Sequence, residues 1–137
     1  MEKSDVLRFI GKQKTAFIGS INEQGYPVVR AMLAPRKIEG NAIYFTTNTS
    51  SKKVKQFAEN KFGCVYFYRR GLFKYQGVCL LGETEICTDQ ATKNEIWRAG
   101  DKIFYKNGVT DPDYCVLKFI CAKAECYCDL KTETVEF

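Results

Sequence analysis

Residues 44–54 read Tyr-Phe-Thr-Thr-Asn-Thr-Ser-Ser-Lys-Lys-Val, an apolar strand pattern that runs into a hydroxyl-rich turn and then into a basic helical segment. Ser51 suits the N-cap of that helix, because its side-chain oxygen can accept hydrogen bonds from the free amides of the first turn. These amides, together with Lys52 and Lys53, form a potential anion site at the positive end of the helix dipole. The stretch therefore predicts a strand, a turn and a short helix that can bind a phosphate.

A second cation, Arg30, lies in the preceding apolar run Pro27–Leu33, which has the pattern of a β-strand. A neighbouring strand could direct its guanidinium to the same anion, since arginine matches phosphate geometry well. Two other interpretations stay open. Arg30 could form an ion pair with Glu83 or Glu85, and the lysines after the turn could simply be the solvated face of a surface helix.

Length and composition fit one domain that spans residues 1–137, because a chain with 45% apolar residues can bury a sizeable core. The net charge of +5 is modest and the basic residues are dispersed, so nucleic acid is not an expected partner. No apolar run near the start has the form of a signal peptide, and none is long enough to span a membrane. We therefore expect a cytoplasmic protein without a membrane partner.

The sequence contains no histidine and seven cysteines. The usual general base and the commonest metal ligand are therefore absent. No cysteine pair has the Cys-x-x-Cys spacing of a zinc site, so free thiols and no metal site are predicted. Cys126 and Cys128 would share one face of a strand, which is weak evidence for a redox pair. No catalytic side chain can be assigned, and difficult chemistry is expected to reside in an organic cofactor.

Apolar alternation and turn residues predict a mainly β chain with short helices. The predicted helices are residues 4–12, capped by Ser4 or Asp5, residues 51–59, and residues 88 or 89 to 97. The predicted strands are residues 16–21, 27–33, 42–47, 64–68, 76–86, 114–119 and 124–128. Many closely spaced strands with few helices indicate an α+β fold built on a closed or partly closed antiparallel barrel of six to seven strands.

An aromatic-rich segment follows the predicted strand 64–68 and has the composition of a subunit interface, with an apolar centre and a basic rim. Its aromatic members are Tyr66, Tyr68, Phe73 and Tyr75, and its rim is Arg69 and Arg70. Trp97 is expected to pack in the core or at an interface, since a lone tryptophan on a helix more often packs than binds a ligand.

The order of these motifs resembles the FMN-binding split barrel of the pyridoxamine 5'-phosphate oxidase superfamily. The resemblance rests on the glycine-turn hairpin, residues 27–33, the strand that ends at Thr47, the turn 51–54 and residues 76–82. Trp97 and residues 103–114 are similar to the bacterial general stress protein branch of that superfamily. The resemblance spans nearly the whole chain and implies an FMN-binding split barrel that carries the cofactor at a homodimer interface.

The resemblance also implies roles for individual residues. Arg30, Ser51, Lys52 and Lys53 match the positions that hold the flavin phosphate. Positions along the isoalloxazine ring and the ribityl chain are matched by Ala31, Met32, Leu33, Thr46 and Thr47. Gln76 falls near a glutamine that the family supplies from the second subunit, and Tyr127 stands where the stress-protein branch has a tryptophan beside the ring.

The chain lacks the arginine-and-histidine ending that grips the substrate in the biosynthetic oxidase, so it is not expected to be that enzyme. The resemblance implies a flavoprotein oxidoreductase, with NADH or NADPH as a candidate electron donor. A non-catalytic flavin-binding or sensing module is the alternative, and an interaction protein without a chromophore is a third. Related barrels bind haem or a deazaflavin, and the lack of histidine argues against haem, although cysteine could still ligate its iron.

Overall fold

Residues 1–72 and 74–137 are described by a computed structural model of the protein. Phe73, which was predicted to line a subunit contact, lies outside the described residues. The helices in the described part are α1 (Lys3–Gly11), α2 (Lys52–Glu59) and α3 (Gln90–Ile96), with two 3-10 helices at Ala99–Ile103 and Gly108–Thr110. The strands are β1 (Thr15–Ile21), β2 (Pro27–Leu33), β3 (Lys37–Glu39), β4 (Ala42–Asn48), β5 (Phe62–Arg70), β6 (Tyr75–Cys87), β7 (Tyr114–Cys128) and β8 (Lys131–Glu136).

The eight strands of the described residues form one antiparallel sheet in the order β2-β1-β5-β6-β7-β4-β3, with β8 paired to β7. Within this part of the chain the two ends of the sheet do not pair, so the barrel is open. The predicted mainly β fold with short helices is confirmed. Two strands beyond the predicted set, β3 and β8, were missed because β3 has only three residues and β8 is exposed except at Val135.

Strand β7 corrects a second prediction, since the two expected closing strands are one strand of 15 residues. Its middle stays paired with β6 through a β-bulge at Leu81 and Gly82. A β-carbon on Gly82 would lie 2.1 Å from the carbonyl oxygen of Ile120, so glycine allows the two backbones to approach there. Because of this bulge, β7 continues through residues 120–123, where the sequence predicted a break between two strands.

The main core lies between the inner face of the sheet and the helices α1 and α2. Ile18, Phe45 and Phe67 are fully or almost fully buried on the sheet. Val54 and Phe57 are buried on α2, as the helical spacing predicted. This packing fixes the position of α2, which is separated from the end of β4 by three residues, and thereby fixes the strand, turn and helix of residues 44–54.

A smaller apolar cluster joins α3 and the 3-10 helices to β7. Trp97 packs edge-on against Tyr114 with ring centroids 5.0 Å apart, which confirms its predicted packing role. Helix α3 begins after Asp89, whose carboxylate accepts a hydrogen bond from the amide of Thr92 at 3.0 Å. Helix α1 is preceded by Glu2 as N-cap rather than by Ser4 or Asp5.

All seven cysteines are free thiols, as predicted. No helix in the described residues combines the length and the apolar character that crossing a bilayer requires.

Candidate functional site

Arg30 lies on the inner face of β2, opposite Ile18 of β1. Its guanidinium donates hydrogen bonds to Ser20 Oγ at 2.7 Å and to Gln56 Oε1 at 3.0 Å. Partial burial lowers the pKa of Arg30, because the charged guanidinium loses some of its contact with water. Within residues 1–72 and 74–137 no carboxylate pairs with it, so the alternative ion pair with Glu83 or Glu85 is not formed.

Lys53 occupies the first turn of α2 and points its ammonium group toward β4. Its Nζ donates to Thr47 Oγ1 at 2.8 Å. Burial, and next the positive charge of Arg30, lower the pKa of Lys53. No acidic side chain in the described part of the chain offsets either cation. An anion bound between Arg30 and Lys53 would relieve both unfavourable charges.

Ser51 is the N-cap of α2, as predicted, with extended backbone angles of φ −71° and ψ 153°. Its hydroxyl differs from the prediction, because it makes no capping hydrogen bond. The Oγ atom is buried and has no hydrogen-bond partner among the described residues. A buried polar atom without a partner is costly. Beside the free amides at the start of α2, Ser51 therefore has hydrogen-bonding capacity that an oxyanion could use.

The lysines of α2 do not all behave alike. The side chain of Lys52 is exposed and lines a separate groove with Glu23 and Glu59. Lys55 is exposed as well and forms an ion pair with Glu23 at 3.0 Å. The solvated-face interpretation therefore describes Lys52 and Lys55, while Lys53 alone turns inward. We call the group formed by Arg30, Ser51 and Lys53 the anion corner; Lys52 lies near it only through its backbone amide.

A cavity of about 220 Å³ adjoins Lys53 and lies between β2, β4 and the first 3-10 helix. Six residues that were predicted to bind a ligand line it together, namely Ala31, Met32, Leu33, Thr46, Thr47 and Lys53, whereas Arg30 and Ser51 are not part of its lining. Leu33 is exposed at the rim, Met32 is half-buried and Thr47 is buried at the floor. The structure thus brings the backbone of β2 and the end of β4 to one concave site next to the anion corner.

The opposite wall of the cavity was not predicted. It consists of Arg36, Asp101, Phe104 and Tyr105, and Asn48 at the end of β4 completes the lining. Arg36 donates two hydrogen bonds to the carboxylate of Asp101, one of them at 2.9 Å, and both side chains are nearly buried. Asp101 follows α3 in a segment without apolar periodicity, so no local pattern indicates its pairing with a residue 65 positions away.

Burial alone would raise the pKa of Asp101, but hydrogen bonds from Arg36 and the Arg98 amide, with the guanidinium charge, hold it below its ordinary value. Burial raises the pKa of Tyr105 to about 12. At physiological pH the Asp101 carboxylate is therefore ionised and paired with Arg36, and the Tyr105 hydroxyl is neutral.

Ser20 and Gln56, the two partners of Arg30, were also missed. The hairpin predicted from residues 22–25 places Ile18 opposite Arg30, which puts Ser20 on the same inner face two residues further along. Gln56 follows Lys53 by three residues, and this helical spacing places them on neighbouring sides of α2. The spacing of Ser20 and Gln56 was visible in the sequence. Serine and glutamine are common polar residues, however, and only the pairing register of β1 and β2 shows that they can reach Arg30.

Gln76 and Tyr127 lie away from this cavity within the protomer. Gln76, near one end of β6, lines a different depression with Arg69 and residues of α1, and its Nε2 is 3.7 Å from Cys128 Sγ. The Tyr127 ring packs edge-on against Tyr75 with centroids 5.5 Å apart. One copy of the chain therefore does not bring these two residues to the residues that line the cavity.

The outer face of β2, β1, β5 and β6 is unusually apolar for a sheet surface. We call this the outer aromatic face, and its members line a shallow depression of about 470 Å³: Phe17, Val29, Tyr66, Tyr68 and Tyr75. Tyr68 is 47% exposed and Val29 is 61% exposed. The hydroxyls of Tyr66 and Tyr75 bond to each other, which holds the rings in place.

These features define a class of protein, a small open antiparallel barrel that places two uncompensated cations and a helix N-terminus beside a concave site. The chain belongs to the family described as "Pyridoxamine 5'-phosphate oxidase like", which matches residues 2–137. Comparison with curated protein sequences gives no match.

Three solved structures illustrate the similarity. A protein from Clostridium acetobutylicum related to general stress protein 26 of B. subtilis, of the pyridoxinephosphate oxidase family, is 32% identical with a TM-score of 0.84, over 98% of this chain and 93% of that chain. General stress protein 26 from Bacillus anthracis is 21% identical with a TM-score of 0.77, over 98% of both chains. A pyridoxamine 5'-phosphate oxidase-related, FMN binding protein from Nostoc punctiforme is 14% identical with a TM-score of 0.71, over 90% of this chain and 82% of that chain.

Proposed function

We propose that this protein is a flavoprotein that binds FMN and acts as an oxidoreductase. The observation that carries the proposal is the pair Arg30 and Lys53, both partly buried, both at α2 and both without a carboxylate partner among the described residues. An unpaired cation that is partly withdrawn from water is less favourable than a solvated one, and a ligand that supplies the missing negative charge removes this cost. A terminal phosphate carries about two negative charges and several acceptor oxygens, which suits this corner.

The residues present fit FMN in two parts. Arg30, Ser51 and Lys53, with the amide of Lys52, would hold the phosphate. The flavin would lie along Ala31, Met32 and Leu33, with the hydroxyls of Thr46 and Thr47 near its polar chain; these residues line the adjoining cavity. Bound FMN would supply hydride or electron transfer, chemistry that the side chains of this site do not provide.

Family membership supports the same cofactor, since one relative of this fold is described as FMN binding. The biosynthetic oxidase activity is not part of the proposal, because the chain has no histidine. NADH or NADPH is proposed as the electron donor. The protein would position the cofactor and exclude water from one side of it, while the exposed rim at Leu33 would leave room for a substrate.

A homodimer is the second part of the proposal. The outer aromatic face exposes Val29, Tyr68 and Tyr75 on a sheet surface, where polar residues would be expected if it faced water. A second copy of the chain would cover it. Gln76 and Tyr127, which do not reach the cavity of their own protomer, would then be available to the cofactor of the partner.

A non-catalytic flavin-binding module is favoured by one specific observation. Among the described residues, the side of the cavity opposite β2 offers no free acid or base near neutral pH, because Arg36 and Asp101 pair with each other and the pKa of Tyr105 is raised to about 12. Flavin reduction by hydride does not need such a group, so both functions fit the site. Steady-state oxidation of NADH or NADPH by the FMN-loaded protein separates them, since a binding module shows no turnover.

The cofactor is tested with purified protein, by its absorption spectrum, by the mass of any bound molecule and by FMN titration. Arg30→Ala and Lys53→Ala should each weaken FMN binding by about 1.5–3 kcal/mol, the scale of a charge-assisted contact. Lys55→Ala is the matched control, because this lysine is exposed and pairs with Glu23 outside the cavity. A colourless protein that does not take up FMN, or unchanged affinity in both site variants, contradicts the proposal.

The dimer is tested by sedimentation of the wild type and of Tyr68→Lys. A charge placed in the centre of the outer aromatic face should shift the protein to monomers, and Ala58→Lys, which adds the same charge at an exposed position of α2 on the other side of the sheet, should not. A monomeric wild type at micromolar concentration refutes this part.

A further inference from the structure

We infer that Gln56, together with Ser20, is a positioning residue that makes this site selective for a phosphate-bearing ligand by holding Arg30 with neutral oxygens. This inference rests on the proposed phosphate site. Gln56 would not need to contact the ligand itself. It would act through the guanidinium, whose positive charge it orients without neutralising.

The three side chains form a closed hydrogen-bonded triangle. Arg30 donates to Ser20 Oγ at 2.7 Å and to Gln56 Oε1 at 3.0 Å, while Ser20 Oγ donates to the same oxygen of Gln56. A guanidinium has five N–H donors, so two bonds to protein leave others for a ligand. Ser20 is buried on β1, which anchors the strand side of the triangle.

Helix α2 anchors the other side. Its buried residues Val54 and Phe57 fix it against the core, and the same eight residues carry Lys53 and Gln56. Ser51 stands at its cap. Lys53 therefore has a fixed position on α2, and Gln56 links the same helix to Arg30 on β2. These two contacts set the distance between the charges of Arg30 and Lys53.

The neutral character of Gln56 is the informative feature. Buried arginines are ordinarily satisfied by a carboxylate, as Arg36 is by Asp101 in this molecule. A glutamate at position 56 would have nearly the same shape and reach, and it would give Arg30 an internal counter-charge. A phosphate would then have to compete with that carboxylate, whereas the amide leaves the full charge for the ligand.

The experiment compares Gln56→Glu with wild type by titrating FMN and riboflavin separately. Riboflavin has the same ring and ribityl chain as FMN but no phosphate. In Gln56→Glu the affinity for FMN should fall by about tenfold or more, while the affinity for riboflavin stays within about twofold. Gln56→Met, which removes the oxygen without adding charge, should reduce FMN affinity by a smaller factor.

Gln24→Glu is the matched control, because Gln24 is exposed beside α2 and does not bond to Arg30. Gln24→Glu adds the same charge near the site, and it should change the ratio of the Kd for riboflavin to the Kd for FMN by less than about twofold. Urea unfolding of each variant without ligand checks folding, and Gln56→Glu should be at least as stable as wild type because it gains an ion pair. The inference is overturned if this ratio of Kd values is the same in Gln56→Glu as in wild type, including the case in which the affinities for both flavins fall equally.

If wild type binds neither flavin, the proposed cofactor is wrong, and inorganic phosphate then decides the inference. A thermal shift of wild type by phosphate that is lost in Gln56→Glu and kept in Gln24→Glu supports it. A wild type that shows no phosphate shift overturns it.

Discussion

Replacing Asp101 by asparagine should destabilise the protein strongly, although the change is nearly isosteric. The Asp101 carboxylate accepts both hydrogen bonds from Arg36 and a third, at 2.9 Å, from the amide of Arg98. The side chains of Arg36 and Asp101 are only 9% and 6% exposed. Asparagine keeps one acceptor but leaves the guanidinium charge without a counter-charge, away from water.

The expected loss is about 3 kcal/mol of the free energy of unfolding, near the lower end of what a broken buried ion pair costs. Glu23→Gln is the matched control, since it makes the same chemical change in the exposed pair with Lys55 and should cost less than about 0.5 kcal/mol. The difference between the two variants isolates the effect of burial. For a domain with a stability of about 5–15 kcal/mol, the loss is easily measured.

Trp97 provides the assay, because it is the only tryptophan of the chain and packs against Tyr114 beside this ion pair. Urea unfolding is followed by its fluorescence and, independently, by far-ultraviolet circular dichroism. A double-mutant cycle with Arg36→Met separates the pair from other effects, and the double variant should be more stable than the sum of the single changes predicts. A loss below 1 kcal/mol in Asp101→Asn, or additive changes in the cycle, refutes the reasoning.

The pH dependence of the same pair has a defined sign. The pKa of Asp101 is below its ordinary value of 3.8 in the folded protein, so the unfolded chain binds the proton more readily. The contribution to stability is therefore complete above that ordinary value and is lost as the pH falls through the folded pKa. Asp101→Asn should show a smaller loss of stability on acidification than wild type, measured by urea unfolding at pH 7 and pH 3.

Three further outcomes are expected. Lys53→Met should leave the ligand-free stability unchanged or raise it by up to about 1 kcal/mol, since burial lowers the pKa of this ammonium, and urea unfolding of the ligand-free protein measures it. Gly82→Ala should cost more than about 2 kcal/mol in urea, because a β-carbon would lie 2.1 Å from a backbone oxygen of β7, and the control Gly100→Ala, with open space around it, should not. Cys64 should be labelled by iodoacetamide at pH 7 faster than the buried Cys115, because a hydrogen bond from Cys79 lowers the pKa of Cys64 whereas burial raises that of Cys115; equal labelling by peptide mass spectrometry refutes this.

Local patterns predicted most of the fold. The hairpin of β1 and β2 was predicted to within one residue, because apolar alternation and an Asn-to-Gly turn act over a few positions. The middle of β7 was misread as a gap, since β7 carries one extra residue there, Ala122, which has no register partner between Leu81 and Gly82 of β6. Strand β8 was missed because only Val135 is buried in it.

The candidate site divides in the same way. Ser51 and Lys53 belong to one continuous strand, turn and helix, so their proximity follows from adjacent sequence. The wall formed by Arg36 and Asp101 could not be predicted, because it depends on how the segment after α3 folds back over β2. Neither residue lies in a periodic pattern that would reveal the contact.

Ligand binding and the stability of the barrel both depend on helix α2. One face of α2 packs into the core of the barrel through Val54 and Phe57, and Ser51 and Lys53 lie at its N-cap and in its first turn. A fluctuation that frees this helix would open the core and dismantle the anion corner in one event. Saturation at a hundredfold excess over Kd would add about 2.7 kcal/mol against that opening, so resistance to proteases should rise in step with cofactor loading.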